Sequence, residues 1–145
     1  MRRALLLLAL APVLAGCGPN GVLLHDPHAL SFVTPQRYAT VRLPVILRWT
    51  VDKAWVASAG GTDGAHAMLF VDRSPMAPGE VFQGATPTDR SGVVDAAGTT
   101  YTLASLPAGS ENARGRHEVT VVLVDRGGHR LGEVSDYLQL QVVRQ

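Results

Sequence analysis

His117-Glu118-Val119-Thr120-Val121-Val122-Leu123-Val124-Asp125 is the stretch that decides the fold. It is rich in β-branched residues, and Val119, Val121 and Leu123 fall on one face of an extended chain. Arg126-Gly127-Gly128-His129 follows at once, a glycine pair of the kind that reverses a chain between strands. Beyond that turn, Tyr137 to Val143 (YLQLQVV) alternates, with Leu138, Leu140 and Val142 inward and Gln139 and Gln141 outward. The two stretches predict an antiparallel pair.

Moving back along the chain, His66 to Asp72 (HAMLFVD) predicts another strand after the loop Gly60-Gly61-Thr62-Asp63-Gly64. Val41 to Val51 puts Val45, Leu47, Trp49 and Val51 on one face, with Arg48 and Thr50 on the other. Pro44 marks a strand start or a bulge there. Leu30 to Val33, Glu80 to Phe82 and Thr99 to Leu106 complete the set, and Pro75, Pro78 and Gly79 turn the chain between two of them. No window carries the 3.6-residue period of a helix. Six or seven short strands joined by glycine and proline turns predict an all-β sandwich.

Within this pattern, Thr100-Tyr101-Thr102-Leu103, then Leu106-Pro107-Ala108-Gly109, then a Val-rich strand ending in Val124-Asp125, resembles part of a fibronectin type III or related immunoglobulin-like domain. Trp49 stands where such domains keep a core tryptophan. The resemblance implies a seven-stranded antiparallel sandwich over residues 30–145. The chain departs from it by an insertion, Ser110 to Arg116, and by His117 where a tyrosine is usual. A second likeness, through Gly64-Ala65-His66 to Asp72, is to periplasmic domains of unknown function.

The N-terminus carries an address. Arg2 and Arg3 precede an apolar run, Ala4 to Leu14, of signal-peptide length and too short to span a bilayer. Leu14-Ala15-Gly16-Cys17 resembles the lipobox of a bacterial lipoprotein. That resemblance implies a signal peptide over residues 1–16, cleavage between Gly16 and Cys17, and lipid (palmitate among its chains) on Cys17. Residues 17–29 then form a lipidated tether. Several acyl chains anchor stably where one does not. Gly18 points to the outer membrane, on its periplasmic side, if the cell is Gram-negative. Cys17 is the single cysteine, so no disulfide forms within the chain.

Composition narrows the function. The formal charge is +1, and loss of Arg2 and Arg3 takes it to −1. A nearly neutral domain argues against nucleic acid, which would want a basic face. The metal-ligand candidates are His25, His28, His66, His117 and His129. In neighbouring antiparallel strands His66 and His117 stand at opposite ends, about 20 Å apart at about 3.3 Å per residue. His66 and His129 share an end, which gives the alternative reading of a periplasmic metal or small-ligand carrier. Asp72, Asp95 and Asp125 read as turn caps. Ser105 lacks a nucleophile elbow, so no enzyme is expected, although a histidine and an aspartate in contact would argue for one. Trp55 is a candidate sugar platform or a cover for the sandwich end.

The sequence therefore leads to a lipid-anchored, non-catalytic binding module with no cofactor beyond its lipid. The candidate binding surface is the loop set Val56 to Ala65, Arg73 to Gly79 and Arg126 to Gly132. Its expected partner is another envelope protein or a cell-wall polymer, peptidoglycan or polysaccharide.

Overall fold

In the computed structural model the described residues form eight strands and one short helix. The strands are β1 (Leu30–Thr34), β2 (Thr40–Val41), β3 (Val45–Val51), β4 (His66–Val71), β5 (Val93–Ala96), β6 (Thr100–Leu103), β7 (Arg116–Val124) and β8 (Arg130–Val142). The helix, α1 (Lys53–Ser58), joins β3 to β4. The structure describes residues 29–58, 64–84, 87, 91–108 and 115–143, without the side chains of Trp55, Ala57 and Ser58. Gly16, Cys17, His25, His28, most of the 110–116 insertion and the Trp55 side chain lie outside that description. None of the described helices is long and apolar enough to cross a membrane.

The strands form two sheets, ordered β1-β3-β6 and β2-β8-β7-β4-β5. All pairings are antiparallel except that of β2 with β8, which is parallel. Leu47, Trp49 and Leu103 from the first sheet and Leu69, Val71, Val119, Val121, Leu138 and Leu140 from the second share one core. The inward set expected from β3 is the observed one, with Leu47 and Trp49 buried and Arg48 and Thr50 exposed. Each such buried aliphatic side chain contributes about 1.5–3 kcal/mol.

A second apolar cluster covers the outer face of the five-stranded sheet. It holds Met68, Phe70, Val93, Val122 and Val124, with Met76 and Phe82 packed onto it. This explains why β4 and the later part of β7 read as continuous apolar runs, since strands buried on both faces lose their alternation. The connection after β4 is the cover. Gly79 N–H donates to Arg130 O and Arg130 N–H to Glu80 O, both at 2.9 Å, and Val81 makes a single bridge with His129.

Four expectations are corrected. Among the described residues eight strands stand where seven were expected, because the segment Val41 to Val51 is divided and β5 is added while Glu80 to Phe82 is lost. β2 belongs to one sheet and β3 to the other, and Pro44, with no N–H to give a ladder, lies between them. Glu80 to Phe82 is an isolated bridge and not a strand. β8 starts at Arg130, before Tyr137, because a bulge between Val122 and Val124 absorbs the irregular pairing around Gly132. Finally, α1 and β5 occupy stretches read as loop. Asp52 starts α1 by accepting the Ala54 N–H on its Oδ1 at 2.8 Å, an N-cap.

The register fixes the two ends of the sandwich. Ala29 O accepts the Asp52 N–H at 2.8 Å, so the chain enters beside the start of α1. His66 pairs with Val124, and Val124 with Arg130, so the β7–β8 hairpin lies at the end where β4 starts. From Phe32 to Thr40 the chain runs alongside β8 in the same direction, from Asp136 to Gln141. Entry, α1 and the hairpin are therefore at one end, and the starts of β3, β5 and β7 at the other.

Candidate functional site

The seam between the sheets, where β1 meets β8, is built on Asp136. One carboxylate oxygen of Asp136 accepts the Phe32 backbone N–H at 2.8 Å. The other accepts the Arg37 guanidinium at 2.9 Å and the Tyr137 N–H, also at 2.9 Å. Arg37 in turn lies over the Tyr137 ring, 4.3 Å from its centroid, a cation–π contact. Beneath the Phe32 edge the wall is firm, since Phe32 packs edge-on against Trp49 at 6.3 Å between centroids. Around these residues opens a cleft of about 260 Å³, lined by Ser31, Pro35, Gln36, Arg37, Asp136 and Leu138 among others.

Tyr38 follows directly. Its φ is 67°, in the left-handed region that bulky residues avoid at a cost of about 1–2 kcal/mol. Its N–H is held by Gln139 O at 2.6 Å. In spite of this cost its side chain is 68% exposed, the most exposed of the large hydrophobic residues described. Tyr137, also on this seam, is 42% exposed. A positive φ combined with an exposed ring makes Tyr38 a candidate contact residue. Nothing in the sequence around Tyr38 carries this signal, because a tyrosine does not favour a positive φ.

His66 and His129 each have a carboxylate beside them. His66 Nε2 is 3.1 Å from Asp95 Oδ1, and its Nδ1 is 3.0 Å from Gly64 O. His129 Nδ1 faces both Asp125 oxygens at 3.2 and 3.3 Å. Each is thus engaged by its own carboxylate, and no group of three or more metal-ligating side chains occurs among the described residues. Asp125 does cap its turn. Its Oδ1 accepts the His129 N–H at 2.9 Å. That backbone hydrogen bond is the chief cause that holds the Asp125 carboxyl below the usual aspartate range; desolvation opposes it, and the side-chain and charge contacts of His129 and the Gly127 backbone add to the lowering.

Asp72 does something else. It bonds His117 Nδ1 through Oδ2 at 2.7 Å and accepts the Glu118 N–H through Oδ1 at 2.9 Å. His117 is 5% exposed. This pair clamps the end of β4 to the start of β7, at the end opposite the β7–β8 hairpin.

Of the loop set expected to bind, two members meet. A methyl group added at Gly64 would lie 3.4 Å from Arg126 Cβ. The third, Arg73 to Gly79, leaves the far end of β4 and folds back across the sheet. Arg130 reaches it by donating to Met76 O at 2.6 Å. The described parts of the set therefore gather around the hairpin, while residues 59–63 of the first loop lie outside the described residues.

No family model and no curated protein sequence matches the chain. Two solved structures are similar to it. One is the endo-β-1,4-mannanase from Thermotoga petrophila, with a TM-score of 0.43 and 18% identity over 81% of this chain. The chain spans 20% of that protein's length. The other is the fibronectin(III)-like modules of Clostridium thermocellum CbhA, with a TM-score of 0.41 and 16% identity over 79% of this chain and 99% of that one.

Proposed function

We propose that the protein is a lipid-anchored lipoprotein of the cell envelope whose sandwich domain works by binding and performs no reaction. The domain is read as immunoglobulin-like, of fibronectin type III character. Its strand order supports this: β1, β3 and β6 correspond to strands A, B and E, and β4, β7 and β8 to C, F and G. β5 then corresponds to the extra C′ strand beside C, and β2 to a detached end of A.

The anchor is read from Leu14-Ala15-Gly16-Cys17, with Cys17 acylated and the domain on the periplasmic side of the outer membrane in a Gram-negative cell. This address changes which surface is offered. The loops around Arg126 to Gly132 share the end at which Ala29 lies, and in this reading they are the loops nearer the membrane. The β1–β8 seam, whose Tyr38 lies beside Gln139 in the later half of β8, stays open to a partner.

The single observation that carries the binding reading is Tyr38, strained in its backbone and exposed in its side chain. The His117–Asp72 contact fits a structural role better than a catalytic one, because the histidine is sealed from solvent and the aspartate is shared with the Glu118 N–H. The partner is a cell-wall polymer or another envelope protein.

Two measurements test this. Radiolabelled palmitate should enter the wild-type protein and not Cys17→Ser, and the variant should leave the membrane fraction. Full-length protein on beads should retain envelope material that Tyr38→Ala does not. Equal retention by both proteins refutes the seam as the binding surface, and absence of label refutes the anchor.

A further inference from the structure

We propose that the free edge of β6 docks an extended peptide segment of another protein, which joins the three-stranded sheet as a further strand and directs an acidic residue towards Arg48. β6 is the edge of its sheet away from the seam, so this surface does not involve Tyr38.

The ladder decides which groups are offered. Trp49 N–H donates to Thr99 O at 3.1 Å, and in the same register Leu47 pairs with Tyr101 and Val45 with Leu103. Residues of an antiparallel strand alternate between bonding towards a neighbour and bonding away from it. Thr100 and Thr102 therefore point their N–H and C=O groups away from β3. Among the described residues nothing bonds those groups, and both threonines are exposed.

The other edges are closed or short. On β1 the Phe32 N–H is taken by Asp136 Oδ2 at 2.8 Å, and a bulge follows. On β5 the Ser91 hydroxyl bonds both the N–H and the C=O of Val93, each at 3.3 Å. β2 has only two residues. β6 has no charge, no proline and no bulge, the features that keep a sheet edge from pairing.

Those open groups call for the backbone of an extended chain, which repeats N–H and C=O at the strand spacing. Side chains narrow the partner further. Arg48 stands opposite Thr100 on the exposed face of the sheet. The ion pairs of the described residues leave it without a carboxylate. An acidic residue on the added strand beside Thr100 finds that free guanidinium, and a lysine there meets a like charge. Next along β3, Ile46 is 51% exposed opposite Thr102 and suits an apolar residue.

A second copy of the chain is the competing occupant. Antiparallel pairing of β6 with itself, Thr100 opposite Thr102, needs a two-fold axis normal to the sheet. That axis turns the two Ala29 ends to opposite sides, which works against molecules moored in one membrane. This step alone rests on the anchored reading.

The test records NMR amide spectra of the full chain in detergent micelles. The probe is a capped peptide of about six residues, alternating threonine and valine with one central glutamate. Its counterparts carry lysine for the glutamate, or N-methyl groups that remove the backbone donors. We expect the glutamate peptide to shift the Thr100 and Thr102 amides and slow their hydrogen exchange. The lysine peptide should bind about threefold or more weaker, and the N-methylated one not at all. Arg48→Glu, a change at an exposed position, should reverse the charge preference. Tyr38→Ala should leave peptide binding unchanged, so failure here and failure of the seam reading are told apart. The proposal is overturned by any of four results. These are no response of Thr100 and Thr102 up to about 5 mM peptide, equal binding of the N-methylated peptide, an unaltered preference in Arg48→Glu, or loss of binding in Tyr38→Ala. Shifts of the same two amides with protein concentration alone would assign the edge to a second copy instead.

Discussion

His117 Nδ1 lies 2.7 Å from Oδ2 of Asp72, a residue 45 positions earlier in the chain. The same carboxylate holds the Glu118 N–H, and the Asp72 N–H donates to Glu118 O at 2.8 Å. Asp72 adopts φ 53°, which lets one residue serve as strand terminus, backbone partner and side-chain clamp. Asp72→Ala leaves a buried imidazole without its partner and puts an alanine in the left-handed region. We expect a loss of about 2–4 kcal/mol in urea unfolding of the chain, summing an orphaned polar group and the backbone term. Asp72→Asn tolerates the same φ and keeps an acceptor, so it should lose less than half as much. Equal losses in the two variants would show that the clamp is not what stabilises this end.

This clamp was not legible in the sequence, and the reason is physical. Asp72 was read as a turn cap from its position after an apolar strand, and a cap needs only local geometry. The bond to His117 depends on the register of β4 against β7, which pairs Val71 with Val119. The alternating faces of β3 and of Leu138 and Leu140 in β8 were legible because burial on one side imposes a period of two. β5 was not, since its four residues lie in a polar stretch and only their pairing with β4 makes them a strand. α1 has six residues and is too short to show a helical period. At the seam the residues themselves are ordinary. What makes them a candidate site is the crossing of two sheets at Asp136.

Gly92 and Gly98 form a matched pair of positions. Gly92 has φ 74°, and a methyl group there would sit 2.8 Å from Val71 O, a backbone atom that cannot step aside cheaply. Gly98 has nothing within 4 Å of such a methyl. Gly92→Ala should therefore cost about 2–4 kcal/mol through strain and steric overlap, while Gly98→Ala stays within about 0.5 kcal/mol of the parent. Thermal unfolding followed by circular dichroism separates the two. A Gly92→Ala protein as stable as Gly98→Ala contradicts the close approach of β5 to the end of β4.

The cover over the outer face depends on few contacts. Phe82 meets Phe70 edge-on at 6.0 Å, and Arg130 ties down Met76 O. Phe82→Ala should cost about 1–3 kcal/mol, less than a fully buried phenylalanine, because Phe82 is only partly buried. It should also expose Phe70 and Val122 enough to raise binding of an apolar dye to the folded protein. Unchanged dye binding would mean that the second cluster is covered by other means.

Asp125 gives the hairpin a pH dependence whose sign follows from its lowered pKa. The folded protein holds this carboxyl more acidic than the unfolded chain does, chiefly through the His129 N–H. Its contribution is present above the usual aspartate range and is lost as pH falls through the lower folded value. NMR titration should place the Asp125 carboxyl midpoint below that of a free aspartate. The amide of His129 should shift with it. Asp125→Ala should remove the His129 transition without disturbing the seam residues.

Tyr38 allows stability and binding to be separated in a single substitution. A glycine adopts φ 67° without a steric penalty, so Tyr38→Gly relieves the strain that tyrosine carries there. The backbone bond to Gln139 O survives, since it uses only the N–H. Little packing is lost from a side chain that is 68% exposed. Glycine also widens the unfolded ensemble, which offsets part of the gain. The expected change in stability is therefore within about 1 kcal/mol of zero, while retention of envelope material should disappear. Residues kept for packing behave the other way: they lose stability first and function only as a consequence. A Tyr38→Gly protein that unfolds much more readily than the parent would assign Tyr38 to the fold and not to recognition.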